Sequence, residues 1–286
     1  MRHAVLGAGG VGGLVGGALA RAGLPVILIV RNPGHPARLR VESNSLGSFE
    51  VPVDVATRLV RDVDILWVTV KATQLDAALA SAPADRVKGA VYPLLNGIDH
   101  MQTLRAVYPN VGAGALGGES ERIAPGRIVQ PSPMLWIQLA GPRATAAVDD
   151  LQAAGFNAAV QEDESLLLWR KLAILAPMAL NTTYEQATVG ELRADPEKWA
   201  RVLAVLEEVA AVANALGIPV AADPIKQAFQ GLNDDFRTSM QKDRTAGRPL
   251  EVEHIAGPVI RSGRERGVAT PVTEFLASQL GAAKAL

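Results

Sequence analysis

The sequence predicts an α/β fold in two parts: a doubly wound, mostly parallel sheet, then an all-helical domain. Three observations carry this expectation. Short apolar runs alternate with helix-like stretches through the first half of the 286 residues. A glycine-rich turn joins the first apolar run to the first helix-like one. After Glu162 the apolar positions recur at helical spacing, with few β-branched runs. The division is placed at 1–163 and 164–286.

Ala4–Leu6 reads as a short strand running into Gly7-x-Gly9-x-x-Gly12 and a small-residue helix through Ala20. Gly7 allows the tight turn, and Gly9, with Gly10 beside it, lets the backbone approach a pyrophosphate. Gly12 lets the helix pack on the strand while its N-terminal N–H groups point at phosphate. Because a second apolar strand, Pro25–Val30, follows, the stretch has the form of a βαβ unit. A Rossmann-type dinucleotide-binding domain is therefore expected. The rival reading, a secretory leader ending at Ala18-Leu19-Ala20, fits poorly, since glycines recur from Gly7 to Gly17 where a leader core needs leucines.

The end of the second strand bears on which dinucleotide binds. An NAD site places a carboxylate there for the ribose 2′-hydroxyl. This chain has Arg31 and Asn32, with no carboxylate before Glu42. A cation suits the 2′-phosphate of NADP; the alternative is a solvated surface arginine. Arg38 and Arg40 either add to the positive potential or are ordinary surface charges.

Further along, Val63–Val70 reads as a buried strand and Ala72–Ala80 as helical. Ala90–Leu95 is the next strand, with a helix from about Ile98 to Val107. Strands are expected near Val111–Ala115, Gly126–Gln130 and Leu135–Leu139. A helix at Arg143–Ala154 and a strand at Asn157–Val160 would finish the sheet. Helices are then expected at Ser165–Leu180, Pro196–Leu216, Pro224–Lys242, Pro249–Arg266 and Pro271–Ala283. The cleft between the two domains is the default place for a small-molecule substrate.

With 28 Lys plus Arg against 29 Asp plus Glu, no net field favours nucleic acid or an anionic membrane. The absence of cysteine excludes disulfides and thiol nucleophiles and fits a cytoplasmic setting. His3, His35, His100 and His254 share no metal-ligand spacing, so no metal site is expected. The sequence leaves the oligomeric state open, a homodimer included.

A reductase needs a proton donor near the substrate carbonyl, because hydride delivery leaves negative charge on oxygen. Lys171 in Trp169-Arg170-Lys171-Leu172, Ser239, and Glu251 in Gly247-Arg248-Pro249-Leu250-Glu251 draw attention. Each has an ordinary alternative: Lys171 could extend its charge from a buried helix, and Glu251 could be a helix N-terminal charge.

Taken together, the motifs identify the chain as resembling ketopantoate reductases from end to end. The resemblance rests on the glycine turn, Val70-Lys71-Ala72 with Gln74, Asn96-Gly97, and Trp169-Arg170-Lys171-Leu172. It continues through Ala187-Thr188-Val189-Gly190-Glu191-Leu192, Ser239-Met240-x-x-Asp243, Gly247-Arg248-Pro249-x-Glu251 and Arg264-x-x-Gly267-Val268-x-x-Pro271. It implies that Lys171 is the general acid, and that Glu251 holds substrate polar groups and sets the lysine's charge. Asn96 would lie near nicotinamide and substrate, Ser239 would bind substrate, and Arg31 and Lys71 would meet the adenosine end of NADPH. Gln74 joins the expected cofactor-binding set. Glu253 is a weaker candidate, pointing about 200° away from Glu251 on a helix.

The pattern also departs from the family. Leu175 and Ala179 stand where asparagines are usual four and eight residues after the lysine, on its own helical face. Phe236 replaces another asparagine three residues before Ser239. Pro177 interrupts the same helix, and a kink there would turn Asn181 or Thr182 toward the substrate, with Thr182 better phased. The implied activity is NADPH-dependent reduction of a 2-oxo acid. The alternatives are reduction of a less polar ketone and a non-catalytic NADP-binding regulatory role.

Overall fold

A computed structural model describes residues 1–281, and the structural statements below concern these. The chain divides into two compact units: Met1–Leu95 with His100–Leu167, and Asn96–Asp99 with the chain from Leu168 on. The expected division after residue 163 falls at the start of the helix Glu164–Glu185.

The first unit opens with β1 (His3–Leu6), α1 (Gly10–Arg21), β2 (Val26–Ile29), β3 (Arg38–Ser43), β4 (Phe49–Pro52), β5 (Asp54–Ala56) and β6 (Val63–Val68). It continues with α2 (Leu75–Leu79), β7 (Val87–Pro93), α3 (His100–Arg105), β8 (Ala113–Gly117), β9 (Glu121–Ala124) and β10 (Arg127–Gln130). It closes with β11 (Trp136–Ala140), α4 (Ala144–Ala153) and β12 (Asn157–Val160). The main sheet has the order β5-β2-β1-β6-β7 and is parallel throughout. Its central strands β1 and β2 are apolar and fully buried, as strands covered on both faces must be.

Two further sheets correct the expectation of a single one. Strands β4-β3-β10-β9 form a mixed sheet, and β12-β11-β8 another. Asn157–Val160 therefore pairs with β11 and does not extend the main sheet, which is bridged to the chain just before β8 at Val91–Val111. Pro93 is the last residue of β7, and just past it Leu94 N still donates to Val68 O at 2.9 Å.

Helix α1 lies between two of these sheets, and that explains its composition. A Cβ on Gly16 would come within 2.7 Å of Leu28 Cδ2 in the main sheet. One on Gly13 would come within 2.5 Å of Ile128 Cδ1 in the second sheet. Small residues let the helix seat in both. Trp67 and Tyr92 are fully buried with rings 5.7 Å apart, and the Trp67 indole donates to His3 Nδ1 at 3.1 Å. Burial outweighs the nearby Asp150 carboxylate and lowers the His3 pKa to about 4, so this histidine is neutral structural packing.

The second unit is helical: α5 (Glu164–Glu185), α6 (Val189–Ala194), α7 (Pro196–Ala215), α8 (Ala222–Gln230), α9 (Ser239–Thr245), α10 (Val252–Arg266) and α11 (Pro271–Gln279). Local chemistry sets many of the ends. Thr188 and Glu191 make a reciprocal capping box on α6, and Asp195 caps α7 ahead of Pro196. Glu208 of α7 accepts from the Val272 and Thr273 N–H groups that begin α11. The single helix expected over Pro224–Lys242 is instead α8 and α9. Gly231 and the Asn233 side chain, which accepts from Asp235 N, turn the chain between them. The end of the helix expected to reach Ala283 lies outside the described residues. No described helix is long and apolar enough to cross a membrane.

Candidate functional site

In the sheet unit the site is made of backbone. Gly7 has φ +100°, and a Cβ there would sit 2.6 Å from Val70 Cγ1, so conformation and space both exclude a side chain. A Cβ on Gly12 would lie 2.0 Å from the Gly7 carbonyl oxygen. The Thr69 hydroxyl donates to that same carbonyl at 2.7 Å, tying the end of β6 to the turn. Gly9 differs: a Cβ there would find nothing within 4 Å. It caps α1 with no side-chain hydrogen bond, so the first N–H groups of the helix stand uncapped beside open space. That combination fits a dinucleotide's pyrophosphate. Gly10 is small for another reason, because a Cβ would lie 2.1 Å from the Ser120 carbonyl oxygen.

Arg31 is exposed just past β2. Arg40 is taken up by Glu42 at 3.1 Å, whereas Arg38 is exposed. Lys71 is half-buried and precedes a 3₁₀ turn at Ala72–Gln74, its carbonyl accepting from Gln74 N at 2.8 Å; Gln74 itself is exposed. Sequence reasoning missed Thr69 and Ser120. Thr69 carried a faint signal, a hydroxyl ending an apolar strand beside Val70-Lys71; Ser120 carried none.

In the helical unit the site is made of side chains. The Asn96 amide donates to Glu251 Oε2 at 3.3 Å. Glu251 is buried at the cap position of α10, yet its carboxylate does not cap the helix. It acts instead on Lys171, early in α5. Desolvation draws the Lys171 ammonium down from 10.5 to about 8, against the opposing pull of the Glu251 carboxylate. The structure thus brings Asn96, Glu251 and Lys171 into one electrostatic group. A lysine whose proton is held this loosely, beside a buried carboxylate, is suited to handing a proton to an oxygen near neutral pH.

The remaining expected residues are placed variously. Ser239 is exposed at the first position of α9, which Thr238 caps. Thr182, expected to bind substrate, is fully buried, its hydroxyl 2.8 Å from both Met178 O and Thr238 Oγ1. Asn181 donates to Pro177 O at 2.9 Å, and its side-chain oxygen accepts from Arg201 Nε at 2.9 Å. The turning of these two groups toward substrate is therefore corrected. Pro177 leaves α5 continuous through Glu185, and the carbonyls and neighbours of the helix occupy both side chains. Leu175 is half-buried and Ala179 buried in α5. The Phe236 ring is half-buried while its carbonyl accepts from Val189 N at 3.1 Å. Glu253 pairs with Arg261 at 2.5 Å. No group of three or more metal-ligating side chains is found among the described residues.

Comparison with known proteins matches both parts of the chain. Residues 3–139 match the family described as "Ketopantoate reductase PanE/ApbA", and residues 165–284 its C-terminal domain. A 2-dehydropantoate 2-reductase from Mycobacterium tuberculosis is 29% identical, covering 98% of this chain and 97% of the relative. The crystal structure of a PanE/ApbA family ketopantoate reductase from Ralstonia eutropha superposes with a TM-score of 0.88 at 26% identity, covering 98% of this chain and 97% of that one. A D-mandelate dehydrogenase solved with NADH and anilino(oxo)acetate shares the fold, with a TM-score of 0.89 at 24% identity, covering 99% and 98%.

Proposed function

The chain belongs to the ketopantoate reductase family, and from that premise we propose that it reduces the carbonyl of a 2-oxo acid with NADPH, Lys171 acting as general acid. A bound reduced nicotinamide supplies the hydride. Lys171 Nζ gives its proton to the carbonyl oxygen as negative charge develops there. Glu251 keeps enough ammonium present near neutral pH for that step, and Asn96 holds the carboxylate by its amide. Ser239 contributes a hydroxyl to the substrate, as the family resemblance implies. At the cofactor end, the uncapped start of α1 takes the pyrophosphate. Arg31, with Lys71 and Gln74, takes the 2′-phosphate end. The observation that carries the proposal is the grouping around Lys171: desolvation lowers its pKa to about 8 against the opposing pull of buried Glu251, whose carboxylate accepts from the Asn96 amide.

Leu175, Ala179 and Phe236 favour a refinement: a substrate less polar beyond its carbonyl than ketopantoate. Polar contacts of the missing kind are each worth about 1 kcal/mol, so losing two or three lowers kcat/KM for ketopantoate by a factor of about 10². A panel of 2-oxo acids and ketones, followed by NADPH and NADH oxidation, tests both levels. Turnover of some 2-oxo acid is expected, with an apolar one preferred. A kcat/KM for ketopantoate of about 10⁵ M⁻¹s⁻¹ or more overturns the refinement. Cofactor binding without turnover of any carbonyl overturns the reductase reading in favour of a regulatory NADP-binding protein.

A further inference from the structure

The loop Asn96–Asp99 is fastened to α10 at three points. At its start, the Asn96 amide donates to Glu251. Next, Gly97 has φ +81°, and a Cβ there would lie 2.1 Å from the His254 carbonyl oxygen, so loop backbone rests directly on the helix. At its end, Asp99 accepts from Arg261 Nη2, while Nη1 of the same guanidinium donates to Glu253 Oε1 at 2.5 Å. Gly257, one turn before Arg261, makes room for this fork: a Cβ there would lie 2.6 Å from both Arg261 Nη1 and Glu253 Oε1.

We propose that Arg261 is a positioning residue: by bridging Asp99 and Glu253 it holds the Asn96–Asp99 loop on α10, and so keeps the Asn96 amide on Glu251. This rests on the reading of Asn96 and Glu251 as site residues given above. A planar guanidinium can engage two carboxylates at once in fixed directions, which a point charge cannot. Helix α10 does not depend on the pair for its own place, because Ile255, Ala256, Val259 and Ile260 are buried. Loss of the fork therefore loosens the loop and leaves the helix packed.

A double-mutant cycle on the full-length protein tests this, with kcat and KM measured for the best 2-oxo acid found. Arg261→Leu is expected to lower kcat/KM about tenfold, and the same change in an Asn96→Ala background less than about twofold, because the first change acts through the second residue. Arg261→Lys should recover part of the loss, reaching one carboxylate but not both. Asp99→Ala removes the acceptor from the loop side and should reproduce Arg261→Leu, which covers the case where that variant folds poorly. Independent effects of Arg261→Leu and Asn96→Ala would overturn the proposal. Amide hydrogen exchange at Gly97–Asp99 gives a second readout that needs no turnover. Faster exchange there in Asp99→Ala, with α10 unchanged, supports the clamp, and unchanged exchange overturns it. A wild-type protein that reduces no 2-oxo acid would refute the functional reading, and the exchange result would still decide the clamp.

Discussion

The two units build their sites from different materials. At the β1–α1 turn the essential property is the lack of side chains: Gly7 and Gly12 exclude a Cβ for steric reasons, and among the described residues nothing lies within 4 Å of a Cβ on Gly9. Around Lys171 the essential property is the company a side chain keeps, through burial, the Glu251 carboxylate and the Asn96 amide that holds it. A backbone site is written in local sequence, because three glycines at fixed spacing make it. A side-chain site is written across long separations, since Asn96, Lys171 and Glu251 meet only in the folded chain. Substitutions should therefore fail differently in the two places.

The largest expected effect lies on the side-chain site. Lys171→Ala should lower kcat by about two to four orders of magnitude, the range of a lost general acid. Cofactor affinity, set at the backbone site, should stay within about twofold of wild type. Single-turnover rates and equilibrium titration separate the two. A parallel loss of affinity would mean that the sites do not divide their work as described.

Next comes a pair of changes within the glycine turn. Gly12→Ala puts a methyl 2.0 Å from the Gly7 carbonyl and 2.4 Å from Thr69 Oγ1, and should destabilise the protein by about 1–3 kcal/mol, as overpacking does. Gly9→Ala meets no protein atom and should melt near the wild-type temperature while binding dinucleotide more weakly. Thermal unfolding with and without cofactor reads both. Equal destabilisation of the two variants would remove the claim that Gly9 is reserved for the ligand.

This contrast also accounts for what could be read from the sequence. The first βαβ unit was legible because its signals are local: Gly7-x-Gly9-x-x-Gly12 between two apolar strands. The separate sheets were not, because an alternation of strands and helices says nothing of where β8 and β12 pair. Asn157–Val160 looked like one more parallel strand, and it is parallel, but to β11. The hairpin of β3 and β4 gave no apolar run, since Arg38, Arg40, Glu42 and Glu50 interrupt its two short strands. For the site, Lys171 and Glu251 stood out by their motifs, whereas the fates of Thr182 and Asn181 depended on Thr238 and Arg201, 56 and 20 residues further along the chain. Helical phase predicts direction from the axis; it does not say which neighbour will be waiting there.

Arg31 tests the side chain at the end of β2 that the backbone site is expected to add for the 2′-phosphate. A charge-assisted contact with the 2′-phosphate should give a preference for NADPH over NADH of about tenfold, or 1.4 kcal/mol. Arg31→Ala should abolish the preference and leave NADH affinity unchanged. Titrating both cofactors into both proteins measures it, and equal wild-type affinities would remove the argument.

The smallest expected effect is a shift along the pH axis. Lys171 is pulled down to about 8 by desolvation, with the Glu251 carboxylate opposing that pull. Its proton is present below that value and lost above it, so carbonyl reduction should fall on the alkaline side of about pH 8, approaching tenfold per unit. Removing the carboxylate removes an influence that raises the lysine's pKa. Glu251→Gln should therefore move the descending limb to lower pH, by up to about one unit if the interaction is worth about 1.4 kcal/mol. The direction is the decisive part, because a glutamate that merely filled space would change the height of the profile and leave its limb in place. Profiles of kcat over pH 6–10 for the two proteins distinguish these outcomes. A limb that moves to higher pH would mean that Glu251 does not favour the charged lysine, and the side-chain site would have to be rebuilt around another acid.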